Sequence, residues 1–305
     1  MDKSIKDSCI DRVFQNLKQE IIKQKKNKKN SEKTIEKYVV ENIYNNLLYS
    51  IEDNINKNYI LERFDKIKNY QEKLENVKKI PVIIQRTDEW FNTRKNLVTA
   101  SDMAQALNKG KFGTQKDFMI KKITNLLSSD NVYIQSDSPP LVWGTKFEEV
   151  ANKIYMKRNN VKVFEFGLIK HPTIKCFGAS PDGISELGIM LEIKCPFKRK
   201  INGSIPDQYW MQIQGQLEVC NLEECDYLEC ELSEYENETE FIEDVENENV
   251  LTKDYKEKGI IIEKNINDEK KYIYSDLNKT VGELINWKEE VITEFDITTE
   301  YVVYY

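Results

Sequence analysis

The sequence predicts an α+β fold, with a helical N-terminal region followed by a core that mixes helices and short strands. Ile35, Val39, Ile43 and Leu47 recur at helical spacing, as do Leu61, Phe64, Ile67, Leu74 and Val77. That is the pattern of helices burying one stripe. Leu191-Glu192-Ile193-Lys194-Cys195 instead alternates with the period of two that belongs to a strand. A second extended run, Cys176 to Ser180, lies upstream of it.

Residues 1–80 form the helical extension, interrupted by a Lys- and Asn-rich break from Lys23 to Lys29. A core over 81–232 opens with Thr87, which caps a helix carrying Asp88 and Glu89 in its first turn. Ser101 is the expected cap of the next helix, which ends at Gly110 to Gly113; Lys116 to Leu127 forms another. Ser136 to Pro140 reads as a loop and Lys146 to Lys157 as a strong helix. Extended segments follow at 161–169 and 174–184, then a strand at 189–195, a helix from Pro206 to Val219 and a strand from Tyr227 to Leu232. The remaining stretch, 233–305, completes or decorates the core. It is acidic to about residue 249, then offers strands at Gly259–Glu263 and Lys271–Tyr274 and a helix from Thr280 to Phe295.

Composition bounds the function. The 305 residues can bury a substantial core. No apolar run approaches the roughly 20 residues that span a bilayer. Met1-Asp2-Lys3-Ser4 carries no apolar signal region. The expectation is an intracellular, non-membrane protein, cytoplasmic or, if viral, nuclear or in a virus factory. The six cysteines contain no CxxC pair and match no ligand pattern, so they read as small buried thiols. The single histidine, His171, precedes Pro172 and suits a structural loop; His-based nucleophile activation and His-rich metal clusters need more. The net charge of −7 is unevenly spread: Ile21 to Asn30 has five lysines and no acid, whereas Glu231 to Asn249 has no Lys or Arg. An acidic total is compatible with nucleic-acid binding in a local, enclosed site.

The chemistry concentrates in Ser180-Pro181-Asp182-Gly183 and Leu191-Glu192-Ile193-Lys194-Cys195-Pro196. Glu192 and Lys194 share one face of their strand. A hairpin turning at Ser185–Gly188, centred near Leu187, sets Asp182 opposite Glu192. Two facing carboxylates repel, and a hard dication relieves that repulsion, since Mg²⁺ is held by one or two carboxylates plus phosphate oxygens. Carboxylates and an ammonium in this pattern suit hydrolysis of a phosphodiester. A third carboxylate is expected on a helix, where Glu148 flanks the apolar stripe of Phe147, Val150, Ala151 and Ile154, while Glu149 points toward solvent. Tyr209, Gln212 and Gln216 share a second helix face whose neutral amides can hold a water, Lys194 or a phosphate. Arg94 and Ser101 suggest a phosphate site, Arg94 by bidentate contact and Ser101 by opening a helix. Lys198 and Arg199, just after the catalytic strand, are positioned to meet a DNA backbone.

With these blocks assembled, residues 83–232 resemble the YqaJ-like viral recombinase family, which includes bacteriophage lambda exonuclease, within the PD-(D/E)xK nuclease superfamily. The resemblance rests on Trp90-x-x-x-Arg94, Thr99-Ala100-Ser101, Gly144-x-x-x-Glu148-x-x-Ala151, the two blocks around Asp182 and Glu192, and Tyr209-x-x-Gln212-x-Gln214. It implies a mixed central sheet flanked by helices, a restriction-endonuclease-like core. Glu148, Asp182 and Glu192, with the Ile193 carbonyl, would hold Mg²⁺, or Mn²⁺ in its place, as a pair of ions. Lys194 would orient and help deprotonate the attacking water; Gln212 and Tyr209 would support the site; Arg94 and Ser101 would bind a terminal 5′-phosphate. The implied activity is 5′→3′ digestion of linear duplex DNA in recombination or end processing, with a single-strand-annealing protein as partner and a homo-oligomeric assembly. The N-terminal extension and acidic C-terminal segment depart from the compact phage enzyme. Two other readings stay open: a DNA endonuclease of the same superfamily, and a catalytically inactive DNA-binding or assembly module.

Overall fold

A computed structural model describes residues 3–26, 31–47, 56–111, 113–127, 138–246, 250–266, 269–295 and 301–305. The end of the Lys-rich break (27–29), the start of the expected loop (136–137) and the end of the acidic stretch (247–249) lie outside the described residues. The fold is α+β, as the sequence predicts. It divides into two compact units: Met1–Asn131, Met156–Glu192 and Ile205–Asp226 in the first; Val132–Tyr155, Ile193–Ser204 and Tyr227–Tyr305 in the second.

The first unit begins with helices α1 (Lys3–Asn16), α2 (Lys18–Lys26), α3 (Glu32–Leu47) and α4 (Lys57–Val77). Ile10, Ile21, Ile35, Val39, Ile43, Leu47, Ile60 and Phe64 pack into one buried cluster. The predicted stripe of α3 is therefore the buried one. On α4 Phe64, Ile67, Leu74 and Val77 are buried as expected, but the stripe begins at Ile60 and Leu61 is exposed. Spacings of four and three residues from Ile60 lead to Phe64 and Ile67, which fixes the inward face.

α4 also carries a buried charge. Arg63 is 3% exposed. It donates from Nε and Nη2 to Asp11 of α1, at 2.9 and 2.6 Å, and from Nη1 to both carboxylate oxygens of Glu224, at 2.8 and 2.7 Å. Tyr70 donates to Glu224 as well, at 2.9 Å. These bidentate, charge-assisted contacts compensate a guanidinium that burial alone would destabilise. The extension is thus integral to the first unit.

The rest of that unit runs through α5 (Asp88–Lys95), β1 (Val98–Thr99), a 3₁₀ turn (Ala100–Asp102), α6 (Met103–Ala106) and α7 (Gln115–Leu127). Thr87 caps α5 and accepts from the Trp90 amide at 3.3 Å. Next along the chain is helix α8 (Pro139–Asn159), which belongs to the second unit as far as Tyr155. It starts at Pro139, where a loop was expected; proline fits a first helical turn because its missing N–H has no partner to lose there. Then come β2 (Val163–Phe164), β3 (Ile169–Lys170), β4 (Phe177–Ala179), β5 (Gly183–Ser185), β6 (Met190–Lys194), α9 (Asp207–Cys220) and β7 (Cys225–Glu229). One sheet has the order β1-β4-β3, parallel between β1 and β4 and antiparallel between β3 and β4. Another has the order β2-β5-β6-β7. Gly215 of α9 sits where an added Cβ would lie 2.3 Å from Met103 Sδ, so a glycine permits this approach of α9 to α6.

The second unit contains α10 (Glu238–Glu243), β8 (Ile260–Ile266), β9 (Glu269–Tyr274), α11 (Val281–Glu294) and β10 (Tyr301–Tyr304). β8 is the centre of a three-stranded antiparallel sheet, between β10 and β9. Thr280 and Glu283 form a capping box that starts α11 where the sequence indicated. Phe241, Ile260, Ile262, Val281, Leu284, Val291 and Tyr304 make its core. No helix among the described residues is long and apolar enough to cross a membrane.

Candidate active site

The antiparallel pair β5–β6 aligns Gly183 with Leu191 and Ile184 with Met190. One step further along this register, Asp182 faces Glu192, as the spacing predicts. The arm opposite β6 differs from the expected one. It is β5, while the Cys176–Ser180 run supplies β4, which joins the other sheet. Pro181 explains the change: it cannot donate to a ladder, so the chain leaves one sheet before it and enters the next after it. The hairpin is closed by Gly188 N–H donating to the Ser185 carbonyl at 2.8 Å, with Gly188 at φ +79°.

β6 is buried on both faces from Met190 to Ile193, and Glu192 itself is 0% exposed. A carboxylate this deep needs hydrogen bonds or a cation. Gln216 of α9, 1% exposed, donates from Nε2 to Glu192 Oε2 at 2.8 Å and to the Ser180 carbonyl at 3.4 Å. The sequence reading favoured Gln212, which stands one turn earlier and is half-buried, as is Tyr209. Gln216 lies on the helix face already singled out, and its burial is what distinguishes it. Cys225 packs in the same region, where burial and then the carboxylates of Glu192, Asp226 and Asp182 keep its thiol protonated.

Lys194 follows on the same strand as Glu192, two residues on, and is half-buried; its carbonyl accepts from Cys230 N–H at 2.9 Å. Glu148 lies on α8 in the second unit, half-buried beside the buried Phe147, Val150 and Ala151. Glu149 is equally half-buried, so exposure does not separate the two as the sequence suggested. Among the described residues no three His, Cys, Asp or Glu side chains are grouped as a ready metal site. The donors of the hairpin are nevertheless the kind a hard cation takes: paired carboxylates and a backbone carbonyl at Ile193. The buried Oε1 of Gln216 has no partner among the described residues, the sort of acceptor that a hydrated ion would satisfy.

In the first unit Arg94 and Ser101 do come together. Arg94 Nη2 lies 3.4 Å from both Ser101 Oγ and Thr99 Oγ1, and its guanidinium stacks 4.2 Å from the Trp90 ring centroid. Trp90 in turn donates to Ser180 Oγ at 3.2 Å. Ser101 does not cap the helix as expected. Thr99 occupies that place, its N–H and hydroxyl both bound to Asp102 at 2.9 Å, because a carboxylate three residues on completes the reciprocal cap. Burial pushes the Asp102 carboxyl up, but the Thr99 N–H and Lys122 outweigh it and hold it below the usual range. Ser101 is left exposed, with its hydroxyl 3.0 Å from Thr99 Oγ1.

The remaining candidates are less committed to the site. Arg199 is ion-paired with Glu229, and Lys198 is exposed with its ammonium 5.1 Å from the Phe197 ring centroid. His171 Nδ1 accepts from the Ile174 and Thr173 amides at 2.9 and 3.2 Å, a turn-forming role as expected. No disulfide forms among the described cysteines.

A model of the YqaJ-like viral recombinase domain matches residues 89–223. Uncharacterized protein R354 of Acanthamoeba polyphaga mimivirus is 32% identical over 191 residues, a match that takes in 56% of this chain and 34% of that protein. The chain thus spans about a third of the length of this curated relative. Among solved structures, the alkaline exonuclease LHK-Exo from Laribacter hongkongensis is 24% identical with a TM-score of 0.42, over 69% of this chain and 96% of that one. LHK-Exo in complex with dAMP gives the same identity and score over 98% of its chain.

Proposed function

We propose, given that residues 89–223 match the YqaJ-like viral recombinase domain, that the protein is a metal-dependent DNA nuclease. The observation that carries this reading is the β5–β6 register, which aligns Asp182 with Glu192 two residues before Lys194. The finer reading is a 5′→3′ exonuclease on linear duplex DNA, serving recombination or end processing. It draws on the Arg94–Ser101 pair, because a pocket for a terminal phosphate ties cleavage to ends.

In this reading Asp182 and Glu192 would hold Mg²⁺, with Mn²⁺ as a substitute; Glu148, the Ile193 carbonyl and a second ion are added by the family resemblance. The bound cation supplies Lewis-acid activation of water and stabilisation of the leaving oxygen. Lys194 orients the attacking water and takes up its proton, and its ammonium then offsets charge at the crowded phosphorus. Gln212 supports the site, with Tyr209 beside it. Arg94 grips the terminal phosphate from its stacked position on Trp90, with the Ser101 and Thr99 hydroxyls as further donors. Lys198 and Arg199 meet the backbone, Arg199 by exchanging Glu229 for a phosphate. A strand-annealing protein and further copies of this chain are the partners that suit such an enzyme.

The test compares linear duplex with a 5′-phosphate, linear duplex with a 5′-hydroxyl and closed circular DNA, each with Mg²⁺ and with chelator. Metal-dependent loss of the linear DNA alone, faster with the phosphate, is expected. Nicking of the circle would replace the exonuclease with an endonuclease, and no cleavage at all would leave a DNA-binding module.

A further inference from the structure

We propose that Gln216 is a positioning residue of the site, a role that rests on the nuclease reading above. Its carboxamide is buried and asymmetric in its partners: Nε2 reaches Glu192 Oε2 at 2.8 Å and the Ser180 carbonyl at 3.4 Å, while Oε1 has no partner among the described residues. Both contacts are acceptors, so only the NH₂ end can face them, and Oε1 must point elsewhere. One amide therefore ties the strand carrying Glu192 to the segment that leads, through Pro181, into Asp182. It fixes the separation of the two carboxylates before any ion arrives. Oε1 is buried with no hydrogen bond from the described residues, and a hydrated cation would offer it a donor. Gln216 would thus act on the cation through Glu192, without being a ligand itself. Side chains that hold a metal ligand in this way typically change metal affinity by about 10- to 100-fold when removed.

Mn²⁺ binding to the full chain, read from the free-ion signal in electron paramagnetic resonance, tests this without any DNA. Gln216→Met keeps the volume and removes both polar ends; Gln216→Asn keeps the amide but falls one methylene short. Each folded variant is expected to bind Mn²⁺ about tenfold more weakly or worse. A merely structural glutamine would lower the unfolding temperature of the metal-free protein and leave the affinity of the folded fraction unchanged. Asp182→Asn serves as the control for the site itself. If it abolishes Mn²⁺ binding while both Gln216 variants stay within twofold of the parent, the positioning role is overturned and the nuclease reading stands. If Asp182→Asn binds as the parent does, the metal site is misassigned and the role of Gln216 falls with it.

Discussion

Arg63 of α4 holds both carboxylate oxygens of Glu224, at 2.8 and 2.7 Å, and the carbonyl of that same Glu224 receives the amide of Met190, where the strand bearing Glu192 begins. The helical extension is therefore coupled to the candidate catalytic strand through one residue. Lys18 and Gln71 reach the same hairpin from α2 and α4, by an ion pair with Glu186 and a 3.1 Å hydrogen bond to its carbonyl.

Arg63→Ala is expected to destabilise the first unit severely. It strands the Asp11 carboxylate, 9% exposed, without its partner. Removing one member of a buried ion pair typically costs about 3–5 kcal/mol. Urea unfolding of the purified variant measures this. A midpoint unchanged from the parent would show that the extension contributes nothing to holding the core.

Gly188 gives a second handle on the same contact. Its φ of +79° suits glycine, and a Cβ there would lie 2.2 Å from the Tyr70 carbonyl oxygen. Gly188→Ala must both strain the turn and push the hairpin off α4, at a cost of about 1–3 kcal/mol for the backbone alone. The expected result is a lower unfolding temperature together with reduced nuclease activity, since the turn carries β5 and β6. An alanine variant as stable as the parent would mean that the hairpin is not seated on the helix.

Much of this was legible in the letters, and the failures have physical causes. Period two identified β6, and counting residues from Leu187 gave the Asp182–Glu192 register, because a short hairpin leaves few registers open. The partner strand was misread because the effect of Pro181 on sheet membership is a tertiary choice. Thr99 and Ser101 are both good caps, and only the Asp102 carboxylate three residues beyond Thr99 decided between them. Gln212 and Gln216 share a helix face, so periodicity could not rank them; burial did. α10 and β10 were missed, since an acidic stretch with one buried Phe241 and a four-residue terminal strand carry weak local patterns. The network around Arg63 joins residues about 160 positions apart and leaves no local trace at all.

Lys194→Ala and Asp182→Ala are expected to abolish cleavage with little effect on the fold, as Lys194 and Asp182 are only half-buried. Loss of one electrostatic group at a developing charge costs on the order of 10²–10³ in rate. Activity is read on linear duplex and folding by circular dichroism. Full turnover by either variant would sink the site assignment.

Arg94→Ala separates end recognition from chemistry. The guanidinium is held by Trp90 stacking and by the Thr99 and Ser101 hydroxyls, well placed for a phosphate. A hydrogen bond to a charged group contributes about 1.5–3 kcal/mol, so the preference for a 5′-phosphate over a 5′-hydroxyl should shrink by about ten- to a hundredfold. The rate on 5′-hydroxyl duplex should change little. Equal losses on both substrates would assign Arg94 to the fold instead of to the DNA end.

Lys258 predicts a pH dependence for the second unit. Its side chain is 1% exposed, and its Nζ donates to the carbonyls of Phe241 and Asp244 at the end of α10. Burial lowers its pKa to about 8 from an ordinary value of 10.5, against an opposing pull from Asp244. A neutral amine still has two N–H bonds for those two carbonyls, so deprotonation costs no hydrogen bond. Between pH 8 and 10.5 the unfolded chain binds the proton that the folded chain has released, so stability must rise with pH across that window. Below pH 8 both states carry the proton and the burial penalty is present in full. Unfolding midpoints at pH 7.5 and 9.5 test this, with Lys258→Met as the reference that removes the titration. The parent should gain on the variant as the pH rises, whereas a constant difference would mean that the ammonium stays charged in the fold.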